Sequence, residues 1–361
     1  MKRLCILLPG EGGIDMQRRP HENRVAIIGA GAIGGITAAL LARAGYDVVI
    51  VTKYDTLATK IRNAGLHVFG VRSDVFVPIP AVARVAELSG PMDIVLLATK
   101  APDMLNAAHE LLPFLKDTSL VVSLQNGLCE EALAGVVGRQ RTIGCVVGWG
   151  GTMHGPGELE MTSTGEFVIG SIGPKEEPRL GMLQEMLGSV VPVEISANIR
   201  GHLYSKLIVN ACITTLGAVC GLYLGQMLSA RKVRNIFMAI MREAIAVADA
   251  MGLTVEVYAG KLDYYRLLKG DGILDNLRRH LTVRIVGFKY RRLKSSMLQS
   301  LERGRPTEID YLNGYIVAKG LEQGIATPVN NRIVAMVKEI EAGTRAITPR
   351  NFDDPFFKSF A

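Results

Sequence analysis

The stretch RVAIIGAGAIGG, residues 24–35, decides how the chain begins to fold. Arg24 to Ile28 reads as a short buried strand. Gly29, Gly31 and Gly34 follow in the pattern G-x-G-x-x-G, and IGGITAALLARAGY continues as an amphipathic helix. Each glycine has its own reason. The first permits a tight turn, the second lets backbone approach a pyrophosphate, and the third lets the helix pack close to the strand. Free N–H groups at the helix start would face the phosphates. Gly29, Ala30, Gly31, Ala32, Ile33 and Gly34 therefore form a candidate dinucleotide-binding turn. The second strand, DVVIVTK (47–53), supplies the context that the glycine pattern needs.

The end of that second strand should read the ribose. An acidic residue there accepts from the 2′-hydroxyl of NAD, whereas a basic one meets the 2′-phosphate of NADP. Lys53 occupies the strand end and Asp55 comes two residues later, so NADPH is the expected cofactor. Alternation continues with DIVLLATK (93–100), a buried strand ending at Lys100, and with a helix over APDMLNAAHELLPFL. SLVVSLQNG (119–127) is another strand, ending at Asn126 and Gly127. Polar groups at the carboxyl ends of parallel strands line a ligand crevice, which makes Lys100 and Asn126 candidate contacts. RTIGCVVGWGG, GELEMTST and EFVIGS read as further strands that complete the sheet as an antiparallel edge.

Beyond residue 197 the pattern becomes helical, at 198–219, 231–251, 273–291, 307–323 and 328–342. The expected fold class is α/β: a Rossmann-type dinucleotide-binding domain (24–197) followed by an all-helical substrate domain (198–345). Residues 1–23 read as a poorly ordered extension, with Met16 an alternative start, and 346–361 as a C-terminal tail. In SKLIVNACITTLG (205–217), Lys206 and Asn210 stand one turn apart on a helix that is otherwise apolar or small, and Thr214 one turn further. A buried ammonium needs a partner or a purpose. The plainer reading is a lysine that snorkels to solvent. In GRPTEIDYLNG (304–314), Thr307 reads as an N-cap and Glu308 as a first-turn carboxylate.

At 361 residues the chain exceeds one ordinary core. Its 48% hydrophobic content and 39 glycines fit an α/β protein. No apolar run reaches the roughly 18 residues needed to span a bilayer. The start, MKRLCILLPGEGG, lacks an h-region and a cleavage site. Cys5, Cys129, Cys145, Cys212 and Cys220 show no CxxC spacing, which points to reduced thiols in the cytoplasm and to no metal site. The net charge is +7, densest in RIVGFKYRRLKSS with Arg284, Lys289, Arg291, Arg292 and Lys294. That run reads as a solvated helix face, so no nucleic-acid partner is expected.

These residues resemble the ketopantoate reductases (2-dehydropantoate 2-reductases) over 24–345. The resemblance rests on the glycine pattern, Lys100, the QNG holding Asn126, the K-L-x-x-N of Lys206 and Asn210, and the run SSMLQS…GRPTEIDYLNG. It implies that Lys206 is the general acid and that Glu308 is its functional partner and a cofactor-side contact. It further implies that Asn210, Ser296 and Asn126 bind substrate, that Asn126 and Lys100 also touch the cofactor, and that Lys53 stands where the family's 2′-phosphate-binding arginine falls. Two departures are visible. Thr214 stands where some members carry a second asparagine, and Ser300 where an acidic residue often follows SMLQ. The implied activity is NADPH-dependent reduction of 2-dehydropantoate to pantoate, on the way to pantothenate and coenzyme A. A reductase of another 2-oxo acid on the same scaffold is the alternative. A non-catalytic NADP-binding sensor is the rival from another class, and it would not need the set Lys206, Asn210, Ser296 and Glu308. The long apolar helices permit either a monomer or a homodimer.

Overall fold

The computed structural model describes residues 21–72, 74–173 and 177–360. The first twenty residues of the expected extension thus lie outside the described residues. His21–Asn23, which were expected within it, instead begin the first strand. The N-terminal part runs β1 (His21–Ile28), α1 (Ala32–Arg43), β2 (Tyr46–Val51), α2 (Asp55–Ala64), β3 (Leu66–Gly70), β4 (Val75–Val77), β5 (Ala81–Val82) and β6 (Met92–Leu97). It continues through α3 (Ala101–Leu111), β7 (Leu115–Ser123), α4 (Glu130–Val137), β8 (Thr142–Val147), β9 (Gly150–Gly155), β10 (Glu158–Ser163), β11 (Phe167–Ser171), α5 (Leu180–Gly188) and β12 (Val193–Ile195).

Eight strands form one sheet in the order β12-β11-β8-β7-β6-β1-β2-β5. From β5 to β8 the neighbours are parallel, and β11 turns antiparallel against β8. The central strands are nearly continuous apolar runs because helices cover both faces. The chain leaves β1 towards β2 on one side and returns to β6 on the other. The gap between β1 and β6 is therefore a topological switch point, where ligands bind outside the carboxyl ends of the strands.

One expectation needs correction. β9 and β10 do not extend the main sheet. They join β3 and β4 in a separate four-stranded sheet, order β4-β3-β10-β9, because β10 pairs in parallel with β3. This small sheet covers α1: a Cβ on Gly35 would lie 2.5 Å from Leu159 Cδ1. The third glycine of the motif does what its position demands. A Cβ on Gly34 would run into the Gly29 carbonyl oxygen and lie 2.8 Å from Ala98 Cβ on the far strand. By contrast, a Cβ on Gly31 would meet nothing within 4 Å. Gly34→Ala is thus expected to lower the melting temperature by several degrees, whereas Gly31→Ala leaves it unchanged and weakens dinucleotide binding. Thermal melts and cofactor titration of both variants separate the two roles.

The C-terminal part is helical: α6 (Ile199–Cys220), α7 (Leu224–Met227), α8 (Arg231–Ala250), α9 (Tyr264–Leu268), α10 (Ile273–Lys289), α11 (Ser296–Glu302), α12 (Asn313–Gln323) and α13 (Pro328–Glu341). The expected helix over 307–323 is broken. Thr307 Oγ1 accepts from Ile309 N (3.2 Å), a single 3₁₀ turn covers Ile309–Tyr311, and α12 starts only at Asn313. Helix α6 is the axis of this layer. Asn198 Oδ1 caps its start by accepting from Gly201 N (3.1 Å), and Gly221 ends it at φ 74°. It is also long and apolar enough to cross a bilayer by composition, with 83% of its apolar window buried. No continuous apolar run shows this in the sequence, because Ser205, Lys206 and Asn210 interrupt it. The C-terminal stretch set aside as a tail packs onto the same layer: Asn351 Nδ2 donates to Val219 O (2.9 Å), and Phe357 is fully buried.

Candidate active site

Three loops meet at the switch point. The turn after β1 comes first. Gly29, at φ 115°, donates its N–H to Val51 O (2.8 Å), which holds the end of β2 beside the glycine turn. Gly31 caps α1 without a side-chain bond, and no acidic residue lies in the first turn of that helix. Its N–H groups and dipole therefore face open space, a site suited to an anion. The residues present thus fit a dinucleotide pyrophosphate.

Lys53, just past β2, is exposed and pairs with Asp103 at 3.2 Å. Asp103 lies in the first turn of α3. Lys100 caps the same helix and reaches across to the helical layer, where its Nζ donates to Ser300 Oγ (2.8 Å). The serine that departs from the family pattern is therefore the partner of the strand-end lysine.

Asn126, after β7, sits between the two layers. Its Nδ2 donates to Glu308 Oε2 and its Oδ1 accepts from Asn210 Nδ2, each at 3.5 Å, the long limit of a hydrogen bond. Glu308 Oε1 accepts in turn from Ala101 N (3.4 Å), the first N–H of α3. A carboxylate from the helical layer thus faces the positive end of a helix in the sheet layer. Behind this loop, buried Ser123 donates to Gln125 Oε1 (2.7 Å) and Gln125 Nε2 donates to Thr99 Oγ1 (3.2 Å), tying the ends of β6 and β7 together.

Lys206 enters the same space from α6. One helical face carries Ile199, Leu203 and Lys206, since seven residues make nearly two turns. Ile199 and Leu203 pack with Ala134 of α4 and Val146 of β8, and Lys206 follows them. Half-buried on α6, its ammonium makes no hydrogen bond or ion pair among the described residues. Burial pushes its pKa down to about 8, against the pull of Cys145, Glu308 and Glu130. Burial also drives the Cys145 thiol well above its usual range. That thiol is neutral at physiological pH, which leaves the two carboxylates as the groups that hold the lysine's proton.

Asn126, Asn210, Glu308 and Lys206 are thus gathered together, and Lys100 closes one side. The other two expected residues behave differently. Ser296 is exposed, and the capping serine is its neighbour Ser295, whose Oγ accepts from Leu298 N (3.0 Å) and donates to Thr214 O (2.6 Å). The Thr214 hydroxyl donates to Asn210 O (2.7 Å) on its own helix, so its single donor is engaged. Glu130 was missed. It is 3% exposed and opens α4, where its carboxylate lies among the Ser123 hydroxyl and the backbone N–H groups of Cys129 and of Glu130 itself. Burial raises its pKa to about 7. The signal was available as CEE after the QNG turn, but a helix-opening glutamate is normally an exposed dipole partner.

A glycine-turn dinucleotide site, set beside a half-buried lysine that shares a helix with Asn210 and feels the charge of Glu308, defines an oxidoreductase of the nicotinamide-dependent class. The chain belongs to the ketopantoate reductase family: residues 25–174 match the family described as Ketopantoate reductase PanE/ApbA, and residues 198–341 match its C-terminal counterpart. It is 29% identical to the 2-dehydropantoate 2-reductase of Archaeoglobus fulgidus, over 89% of this chain and 98% of that protein. A PanE/ApbA family ketopantoate reductase from Ralstonia eutropha JMP134 is similar in structure, with TM-score 0.76 and 31% identity, over 90% of this chain and all of that one. D-mandelate dehydrogenase, solved with NADH and anilino(oxo)acetate, shares the fold at TM-score 0.77 and 22% identity, over 89% of this chain and 98% of that one.

Proposed function

We propose that the protein reduces 2-dehydropantoate to pantoate with NADPH, with Lys206 as proton donor. The observation that carries this reading is the half-buried Lys206 ammonium, which feels the charge of Glu308, while Glu308 bonds Asn126 and Asn126 bonds Asn210. The dinucleotide, when bound, supplies a hydride to the ketone carbon. Negative charge then develops on the ketone oxygen, and Lys206 Nζ delivers its proton there. At a pKa of about 8 the lysine is largely protonated at neutral pH, yet gives up its proton more readily than an exposed lysine would. Asn126 and Asn210 offer amides to the substrate's oxygens, and Ser296 extends that polar rim at the start of α11. Glu308 keeps Lys206 charged and joins the two layers around the cleft. An NADPH-oxidation assay against a panel of 2-oxo acids tests the assignment. Highest kcat/KM for 2-dehydropantoate supports it, and a strong preference for another acid overturns it.

The engaged Thr214 hydroxyl gives the alternative some weight. With no free donor one turn beyond Asn210, the cleft could take a bulkier 2-oxo acid. Thr214→Asn should leave or improve turnover of 2-dehydropantoate, and should impair activity on a larger preferred substrate.

NADPH preference is assigned to Lys53. An exposed ion pair contributes less than about 1 kcal/mol, so Lys53 can exchange Asp103 for a 2′-phosphate at little cost. Lys53→Ala should lower the NADPH-to-NADH ratio of kcat/KM several-fold. Asp103→Asn should raise it, by removing a carboxylate near the incoming phosphate. An unchanged ratio in both variants would discard Lys53 as the discriminator.

A further inference from the structure

We propose that the start of α8 is a second anion site, one that takes a phosphate group between Arg231 and Arg234 of α8 and Arg284 of α10. Two independent features meet there. The first is backbone. Ser229 and Ala230 are exposed, Ala230 caps α8 with no side-chain bond, and no acidic residue stands in the first turn. The N–H groups of that turn are therefore left for an anion. The second is a charge held out of water. Arg234 is only 8% exposed. Its Nη1 donates to Leu228 O (2.8 Å) and Ser229 O (2.7 Å), which folds the guanidinium back over the turn into α8. Its Nε donates to His280 Nδ1 (3.2 Å), and its Nη2 has no partner among the described residues. Carbonyls and a neutral imidazole offer only partial charge, whereas a buried cation needs an anion.

Helix α10 delivers the third arginine. His280, Arg284 and Gly287 stand at i, i+4 and i+7 and so share one face. His280 bonds Arg234, and a Cβ on Gly287 would lie 2.9 Å from Leu228 Cβ. Arg284, between them, faces the same turn. Its charge and that of Arg231 add to burial in pulling the Arg234 pKa down. Like charges thus crowd one point. The carboxylates nearby are engaged elsewhere: Asp353 lies 3.9 Å from Lys232, and Asp275 pairs with Arg278 at 3.3 Å. Three arginines favour a dianion over a monoanion. The tetrahedral oxygens of a phosphate can accept from a guanidinium fork and from helix N–H groups together. The site is separate from the glycine turn, since α8 packs on α6 and α10, and α10 on α7, all within the helical layer.

Calorimetric titration of the full chain, saturated with NADPH so that the glycine turn is filled, tests the proposal. Inorganic phosphate and glycerol 3-phosphate are the two probes, each at constant ionic strength. Saturable binding is expected, with a melting temperature that rises and then levels off. The general salting effect of phosphate would not level off. Arg284→Gln and Arg231→Gln should each weaken binding several-fold. Both side chains are exposed, so the melting temperature in phosphate-free buffer should stay unchanged. Arg234→Gln also loses the bonds to Leu228 and Ser229, so the exposed pair carries the test. Tighter binding of glycerol 3-phosphate assigns the site to a phosphorylated metabolite, and tighter binding of inorganic phosphate to the free ion. Absence of saturable binding by both probes overturns the proposal, as does binding that neither Arg284→Gln nor Arg231→Gln weakens.

Discussion

Lys206→Ala is expected to lower kcat by about 10²–10⁴-fold, the usual contribution of a positioned acid, while NADPH still binds. The two readouts separate because the groups are separate. The dinucleotide turn is built by backbone at Gly29–Gly34, and its fit depends on the open space at Gly31 rather than on α6. Lys206 comes from the helical layer and makes no bond that the sheet layer needs. Removing it leaves no acceptor unpaired, so the variant should fold. It also relieves the burial of a charge, so stability should hold or rise. Cofactor binding followed by fluorescence, a thermal melt and steady-state kinetics on one preparation cover all three expectations. A near-normal kcat would return Lys206 to the plainer reading, a lysine that snorkels. Loss of folding would make it structural.

Much of this was legible in sequence because the deciding features are local. The glycine turn, the strand ends at Lys100 and Asn126, and the one-turn spacing of Lys206 and Asn210 each follow from backbone geometry over a few residues. What escaped depends on distant pairing. β9 and β10 could not be assigned to their own sheet, because their partner β3 lies some ninety residues earlier and is only five residues long. The helix expected from 307 breaks because Glu308 turns towards Asn126 and the start of α3, a tertiary demand that outweighs its capping preference. Ser296 and Thr214 were placed by resemblance and helical spacing, which give a face but not the bond a hydroxyl makes. Glu130 was invisible because its burial comes from packing against β8 and Ser123. The apolar pattern of α10 was read as an ordinary helix, and only its exposure in the fold shows that the core lies on the other side.

The second large effect concerns pH. If Lys206 is the proton donor as proposed, it serves only while protonated, so kcat/KM should fall as pH rises through about 8, the value to which burial brings it. Glu308 and Glu130 oppose that depression. Removing either charge should lower the lysine's pKa further and move the basic limb to lower pH. Glu308 has the stronger pull of the two. Glu308→Gln keeps the shape of the side chain and should shift the limb further than Glu130→Gln does. The second variant is the more informative, because Glu130, unlike Glu308, makes no hydrogen bond to Asn126 or to the start of α3 among the described residues. Its carboxyl, raised to about 7, is ionised on the alkaline side, where its charge matters for Lys206. At neutral pH it is partly protonated, so Glu130→Gln should change little there and most near pH 8.5. A limb displaced by about one unit corresponds to roughly tenfold lower kcat/KM on that side. A role confined to packing would instead lower the melting temperature and leave the limb in place. Because desolvation outweighs the hydrogen bonds that Glu130 receives, replacing its carboxylate by an amide should keep or raise stability at alkaline pH, where the native protein must hold a desolvated charge. A profile that coincides with wild type would remove Glu130 from the lysine's surroundings, and a limb displaced to higher pH would reverse the sign of its effect.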